Sequence, residues 1–228
     1  MNLPSTIAID GPAASGKSTL AERLANKLNY LYFDTGVMYR VVTWLALDRG
    51  LSMDEEEMIT KLSQLVQIDV QSPSKEDGRA YDVLADGEDL TWKIRRPEVD
   101  ANVSVVAAFP GVREALTVQQ RCIGQRGQVV MVGRDIGTVV LPDADLKIYL
   151  DASVEERSRR RYDECIARGE EITLESILDA MRKRDQIDST RDVAPLRAAE
   201  DAVIIDSDGL GIEKVLEITI DLARGKGQ

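Results

Sequence analysis

The chain has 228 residues, 43% of them hydrophobic, with 29 basic against 40 acidic side chains, for a formal charge of -11. That balance excludes a nonspecific nucleic-acid surface, which needs clustered Lys and Arg, but leaves room for a small anionic ligand in a locally basic pocket. Histidine is absent, which excludes a Ser-His-Asp triad, an HExxH zinc site and a phosphohistidine relay, so any chemistry must run on Lys, Arg, Asp, hydroxyls and a metal.

The apolar run Thr6-Ile7-Ala8-Ile9 predicts a strand, and Leu20, Leu24 and Leu28 at helical spacing predict the first helix. Between them stand Gly11, Pro12, Ala13, Ala14, Ser15, Gly16, Lys17 and Ser18, followed by Thr19. This is a complete G-x-x-x-x-G-K-[ST] phosphate loop in strand-loop-helix context. Its backbone N–H groups are expected to cradle polyphosphate, with Lys17 on the β/γ-phosphates and the Ser18 hydroxyl on Mg²⁺.

A second strand is expected over Tyr30 to Phe33, ending at Asp34-Thr35-Gly36, with a helix from Tyr39 through Leu47. A capping box, Ser52 to Glu55, is expected to open a third helix. From Ile68 to Trp92 the pattern becomes a small antiparallel meander turning at Asp86-Gly87, with Ser72 to Gly78 an exposed turn. Helical periodicity runs from Pro97 to Phe109, and Pro110 opens another helix that stops near Gly124 to Gly127. Two buried-type strands follow, Val129 to Val132 and Leu146 to Leu150. The capping box Ser153 to Glu156 opens a helix carrying Arg157, Arg159, Arg160 and Arg161. A further helix spans about 173 to 188, then come a strand, Ala202 to Ile205, and a closing helix over 212 to 224.

Five short apolar strands separated by helices predict an α/β fold: a doubly wound parallel sheet with helices on both faces. Ligands should then gather at the strand C-termini, where the phosphate loop, Asp34-Thr35-Gly36 and Gly133-Arg134-Asp135 all fall. A GTPase switch is disfavoured, because Asn26-Lys27 lies in a helix without the Asp of a guanine-reading motif. A small-molecule kinase fits better. It needs cations around the transferred phosphoryl and a cover that excludes water. Arg157 to Arg161 can supply that cover, though a solvated helix face with Glu156–Arg160 pairs would read the same. Arg184, Asp188 and Arg191 project from one helix face, as either site residues or a surface ridge. Of the 29 cations 20 are Arg, which suits bidentate phosphate recognition.

Four segments together resemble the bacterial cytidylate kinases: Asp34 to Arg40, Ser104 to Ala108 with Val112 to Leu116, Gly133 to Ala144, and Arg184-Asp185-x-x-Asp188-x-x-Arg191 continuing to Ala194-Pro195-Leu196. The resemblance runs in order over roughly residues 5 to 222. It implies Mg²⁺-dependent transfer of the ATP γ-phosphoryl to CMP or dCMP. Arg113 and Ser104 would read the acceptor edge of cytosine and Asp135 its N4 amino group. Thr35, Tyr39 and Arg40 would lie near the sugar and phosphate, Asp188 at the ribose, and Arg134, Arg184 and Arg191 would clamp phosphates. Arg160 and Arg161 match the lid over ATP, and Asp34 would hold a metal water or cap the next helix. The runners-up are a kinase for UMP or AMP and a shikimate-type kinase.

One departure is Val132, where many members carry an acidic residue. The expected organisation is a single domain with core segments 1–51, 99–152 and 173–228, a monophosphate-binding insertion over about 52–98 and a lid over about 153–172. Cys122 and Cys165 form neither a disulfide framework nor a metal spacing. With no basic leader and no long apolar run, the expectation is a cytoplasmic monomer with nucleotides as its partners and neither nucleic acid nor membrane.

Overall fold

The computed structural model describes residues 3–190 and 193–225. In chain order its elements are β1 (Thr6–Asp10), α1 (Lys17–Leu28), β2 (Leu31–Asp34), α2 (Gly36–Asp48), α3 (Glu56–Leu65), β3 (Ile68–Gln71), β4 (Asp82–Ala85), β5 (Glu88–Asp89), α4 (Pro97–Val106), α5 (Pro110–Gly124), β6 (Val129–Gly133), β7 (Leu146–Asp151), α6 (Val154–Ala167), α7 (Leu174–Thr190), β8 (Val203–Asp206) and α8 (Ile212–Ala223). A 3-10 turn covers Lys93–Arg95 and a single π-helical turn Ile136–Val140.

Five strands form one sheet in the order β2-β6-β1-β7-β8, and every pairing in it is parallel. Successive strand residues face opposite sides, and Ile7, Ala8, Ile9 and Asp10 are all buried. Both faces of the sheet are therefore covered at its centre, as a parallel sheet requires, while Val203 and Ile204 on the edge strand β8 stay exposed. Ile7, Ile9, Phe33 and Met131 are among the side chains wholly removed from water, each stabilising by roughly 1.5–3 kcal/mol.

The meander is a separate three-stranded antiparallel sheet, β3-β4-β5. Its tight turn has positive φ at both Asp86 (50°) and Gly87 (85°), the geometry in which an Asp-Gly pair matches the strand twist. Arg79 fastens the preceding loop, donating to Asp77, Asp82 and Asp89 at 2.7–2.9 Å. The sheet docks on the core partly through Tyr81, whose ring lies 5.3 Å from that of Tyr32.

Two helix starts separate the two capping boxes. At α6 the Ser153 hydroxyl accepts from the Glu156 N–H at 3.2 Å, as expected. At α3 the Glu55 carboxylate does accept from the Ser52 N–H (2.7 Å). The Ser52 hydroxyl, however, takes the Asp54 N–H, so residues 52–55 close as a turn and the helix begins at Glu56. Helices α6 and α7 share a small apolar cluster, Cys165, Ile177 and Met181, distinct from the main core.

Candidate active site

The phosphate loop owes its shape to left-handed backbone at Ala14 (φ 59°) and Gly16 (φ 90°) and to Gly11 (φ 151°). A Cβ on Gly11 would stand 2.2 Å from the Leu150 carbonyl oxygen, so only glycine lets the loop leave β1 against β7. Helix α1 starts at Lys17 with no side-chain cap and no acidic residue in its first turn. Its orphan N–H groups and dipole therefore face an anion site. Buried Lys17 donates from Nζ to the Pro12 carbonyl at 2.6 Å. Burial first, then the Arg134 and Arg184 guanidiniums, hold its ammonium pKa below the usual lysine range.

The Ser18 hydroxyl donates to Asp34 Oδ2 at 3.2 Å, while Asp34 Oδ1 accepts from the Gly36 N–H at 3.0 Å. Asp34 thus ties the start of α2 through the Gly36 N–H, one of the two roles expected of it, and also stands beside Ser18. A hydroxyl and a carboxylate side by side offer the oxygen donors a Mg²⁺ ion takes, with nucleotide phosphates and water completing its shell. Among the described residues no three His, Cys, Asp or Glu side chains gather to hold a metal unaided.

Two cavities meet at this point. One, about 500 Å³, lies between the phosphate loop, α6 and the loop after β8, and takes in Thr19, Arg160 and Arg161. The other, about 370 Å³, lies among α2, α4, α5 and β6 and takes in Thr35, Tyr39, Arg40, Ser104, Arg113, Arg134, Asp135 and Asp188. Lys17, Ser18 and Arg184 line both. Apart from Gly11 and Pro12, which shape the phosphate loop without lining either space, the described candidate site residues line one or both of these two adjoining cavities. Arg191 lies outside the described residues.

In the second cavity Arg113 Nη2 donates to both carboxylate oxygens of Asp135 at 3.2 Å, in a pair 6% and 7% exposed. The guanidinium also lies 5.6 Å from the Tyr39 ring centroid. Its Nε is buried with no partner, a donor left over at the cavity wall. Arg134 Nε donates to Asp188 Oδ2 at 2.9 Å, and Arg40 donates to Asp100 at 2.5 Å and to the Ile94 carbonyl at 3.1 Å. The Thr35 hydroxyl is committed to the Val132 carbonyl at 2.9 Å. Val132 itself faces the same cavity.

The basic helix divides its arginines. Arg160 bonds Glu156, as a surface pair would, yet also donates to the Ser207 carbonyl at 2.7 Å across the first cavity. Arg161 pairs with Glu164 at 3.1 Å and lines the same space. Arg157 is buried instead, donating to the Ala13 carbonyl in the phosphate loop and gripping Asp185 with both terminal nitrogens at 3.1 and 2.6 Å.

Three features escaped the sequence reading. Ser207 and Leu210 line the first cavity, and the Asp206-Ser207-Asp208-Gly209 turn after the last strand was their only signal. Gln120 is buried at the second cavity with Nε2 unpartnered. A polar residue seven positions after Arg113 on an otherwise apolar helix stripe marks it. Asp10, at the end of β1, accepts from the Ile136 and Gly137 N–H groups at 2.8 and 2.7 Å. Burial outweighs those bonds and pushes its carboxyl up to about 6.

The cytidylate kinase family model matches residues 7–225. A cytidylate kinase from Herpetosiphon aurantiacus is 51% identical over 222 residues, covering 97% of this chain and 95% of its own. One from Chloroflexus aggregans is 53% identical over 210 residues, covering 92% and 90%. Among solved structures, a shikimate kinase from Bacteroides thetaiotaomicron aligns over 96% of this chain and 97% of its own with TM-score 0.50. At 14% identity that likeness speaks for the fold alone. With the match spanning both cavities and the wall between them, the chain belongs to the cytidylate kinase family.

Proposed function

We propose that the protein is a phosphotransferase that moves the γ-phosphoryl of ATP to CMP or dCMP, giving ADP and CDP or dCDP. The observation that carries this reading is the wall shared by the two cavities. Lys17, Ser18 and Arg184 border both, where a group crossing from one nucleotide to the other must be held.

ATP would occupy the cavity above Gly11 to Thr19, with Arg160 and Arg161 over it. CMP would occupy the cavity lined by Thr35, Tyr39, Arg40 and Ser104. Cytosine presents acceptors at O2 and N3 and a donor at N4. The unpartnered Nε of Arg113 and the Ser104 hydroxyl suit the acceptor edge. The Asp135 carboxylate, held by Arg113, is the acceptor that suits the N4 amino group. Uracil reverses two of these positions, leaving buried groups unpaired, and that mismatch sets the preference. Asp188 suits the ribose, and Arg134, Arg184 and Arg191 the phosphates.

The acceptor phosphate, with a second pKa near ~6, is already mostly dianionic at neutral pH, so no general base is required. One of its oxygens bonds to the γ-phosphorus as the bond to the β-phosphate oxygen breaks and ADP leaves with the electron pair. The chain's cations offset the repulsion between two anions and hold them in line. Magnesium, held by Ser18 and through water by Asp34, would neutralise β- and γ-phosphate charge.

Residues about 52–98 would close over CMP. Residues about 153–172, together with α7 through their separate apolar cluster, would close over ATP as a lid. Among the described residues no helix is long and apolar enough to cross a membrane. The test is ADP release with a panel of CMP, dCMP, UMP, AMP, GMP and shikimate. Magnesium-dependent turnover confined to the cytosine nucleotides is expected, whereas preference for UMP or shikimate would overturn the reading.

A further inference from the structure

Asp10 is a buried carboxylate whose two oxygens are both spent on backbone. It is 4% exposed, and its hydrogen-bond partners are the Ile136 and Gly137 N–H groups. Those are the two peptides that directly follow Asp135, the residue facing N4 in the proposed pose. They are also the first donors of the π-helical turn Ile136–Val140, so the carboxylate caps that turn from 126 residues away in sequence.

The backbone of Asp135, at φ -143° and ψ 25°, is neither helical nor extended, and the two peptides that follow it are the ones Asp10 holds. Asp10 is a rigid post. It is in register with Gly133 on one side and Tyr149 on the other, and the next residue, Gly11, is pressed against the Leu150 carbonyl. Gly137 is confined as well, since a Cβ there would stand 3.2 Å from Lys147 Cδ and 3.4 Å from Asp10 Oδ2. An unpaired buried charge is costly, and a fully amide-based cap would avoid the cost. Only a carboxylate, though, accepts with both of its terminal atoms; an Asn would set an N–H₂ donor against one of the two N–H groups.

We propose that Asp10 is a positioning residue for cytosine recognition: by fixing the Ile136 and Gly137 peptides it sets the direction in which Asp135 and its partner Arg113 meet the base. The assignment rests on the reading of CMP as acceptor. It separates from a role in the adjoining phosphate loop by where the damage falls. A disturbed loop raises KM for ATP. A disturbed Asp135 raises KM for CMP and erodes the choice between CMP and UMP.

The experiment measures steady-state kinetics for CMP, UMP and ATP in the wild type, Asp10→Asn and Gly137→Ala, with folding checked by circular dichroism and thermal melting. Gly137→Ala shifts the pinned peptide while leaving the carboxylate, so it serves if Asp10→Asn does not fold. In either folded variant the ratio of kcat/KM for CMP over UMP should fall about tenfold or more, with KM for CMP raised and KM for ATP within about twofold of wild type. An unmoved ratio in a folded variant, or an equal rise in both KM values, overturns the assignment alone. A wild-type protein that transfers nothing to CMP overturns the functional reading along with it.

Discussion

At the scale of single residues, the two carboxylates of the base-reading corner differ in what they cost. Asp135 has a cation on both oxygens, whereas Asp10 has only backbone N–H groups and a carboxyl pushed up to about 6 from 3.8. A native state that holds its proton more tightly than the unfolded chain gains stability as pH falls. Between pH 7 and pH 4 the wild type should therefore gain about 2–3 kcal/mol relative to Asp10→Asn. Urea unfolding of both proteins across that range checks it, and a pH-independent difference would contradict the buried charge. For Asp135 the expectation is functional. Asp135→Asn keeps the shape but turns a donor toward N4, so kcat/KM for CMP should drop by about 10²-fold or more while UMP loses less. Parallel losses for both bases would remove Asp135 from base selection.

The residues legible in the sequence were those whose chemistry depends on neighbours close along the chain. The phosphate loop carries a fixed local spacing, which points to Lys17 and Ser18 directly, whereas the spacing of Arg184 and Asp188 fits a site or a surface ridge equally and only the family resemblance assigns them to phosphate and ribose. Asp10 could not be placed at the site beforehand, because a lone Asp at a strand end has no periodicity and its partners lie 126 residues on. The pairing of Arg113 with Asp135 was hidden for the same reason. Each had been assigned to a different edge of the base, and only the packing of α5 against the segment after β6 brings them together.

At the scale of elements, the five core strands and most helix limits followed from periodicity, while the order β2-β6-β1-β7-β8 did not. What periodicity misses is how a helix is tied to the rest. Arg157 reads as one of four arginines on a solvated helix, yet it joins three pieces: the Ala13 carbonyl of the phosphate loop, the Ala152 carbonyl before α6, and Asp185 on α7. Asp185→Asn would leave the buried guanidinium without its counter-charge, costing about 1.5–3 kcal/mol. Because the same guanidinium holds the loop carbonyl, KM for ATP should rise more than KM for CMP. Thermal melting and the two KM values read this out. An altered KM for CMP with that for ATP unchanged would show that the pair serves the other cavity.

At the scale of the whole molecule, a chain of charge -11 sets Lys17 and Arg184 on the wall between its two cavities, with Arg134 beside them. Burial first, then the neighbouring Arg134 and Arg184, hold the Lys17 ammonium below the usual lysine range, so the wall is an unfavourable arrangement until phosphate arrives. Polyphosphate relieves that crowding, and it does so once for both cavities because they share the wall. A ligand carrying adenosine and cytidine joined through five phosphates should then bind as one unit, sparing the second association its loss of translational freedom. Its Kd should lie about 10²-fold or more below that of ATP alone, and saturating it should raise the melting temperature beyond ATP and CMP added together. Isothermal calorimetry and melting curves measure both quantities. Affinity no better than that of ATP would mean that the cavities do not open onto each other across Lys17 and Arg184, and the transfer geometry would fall with them.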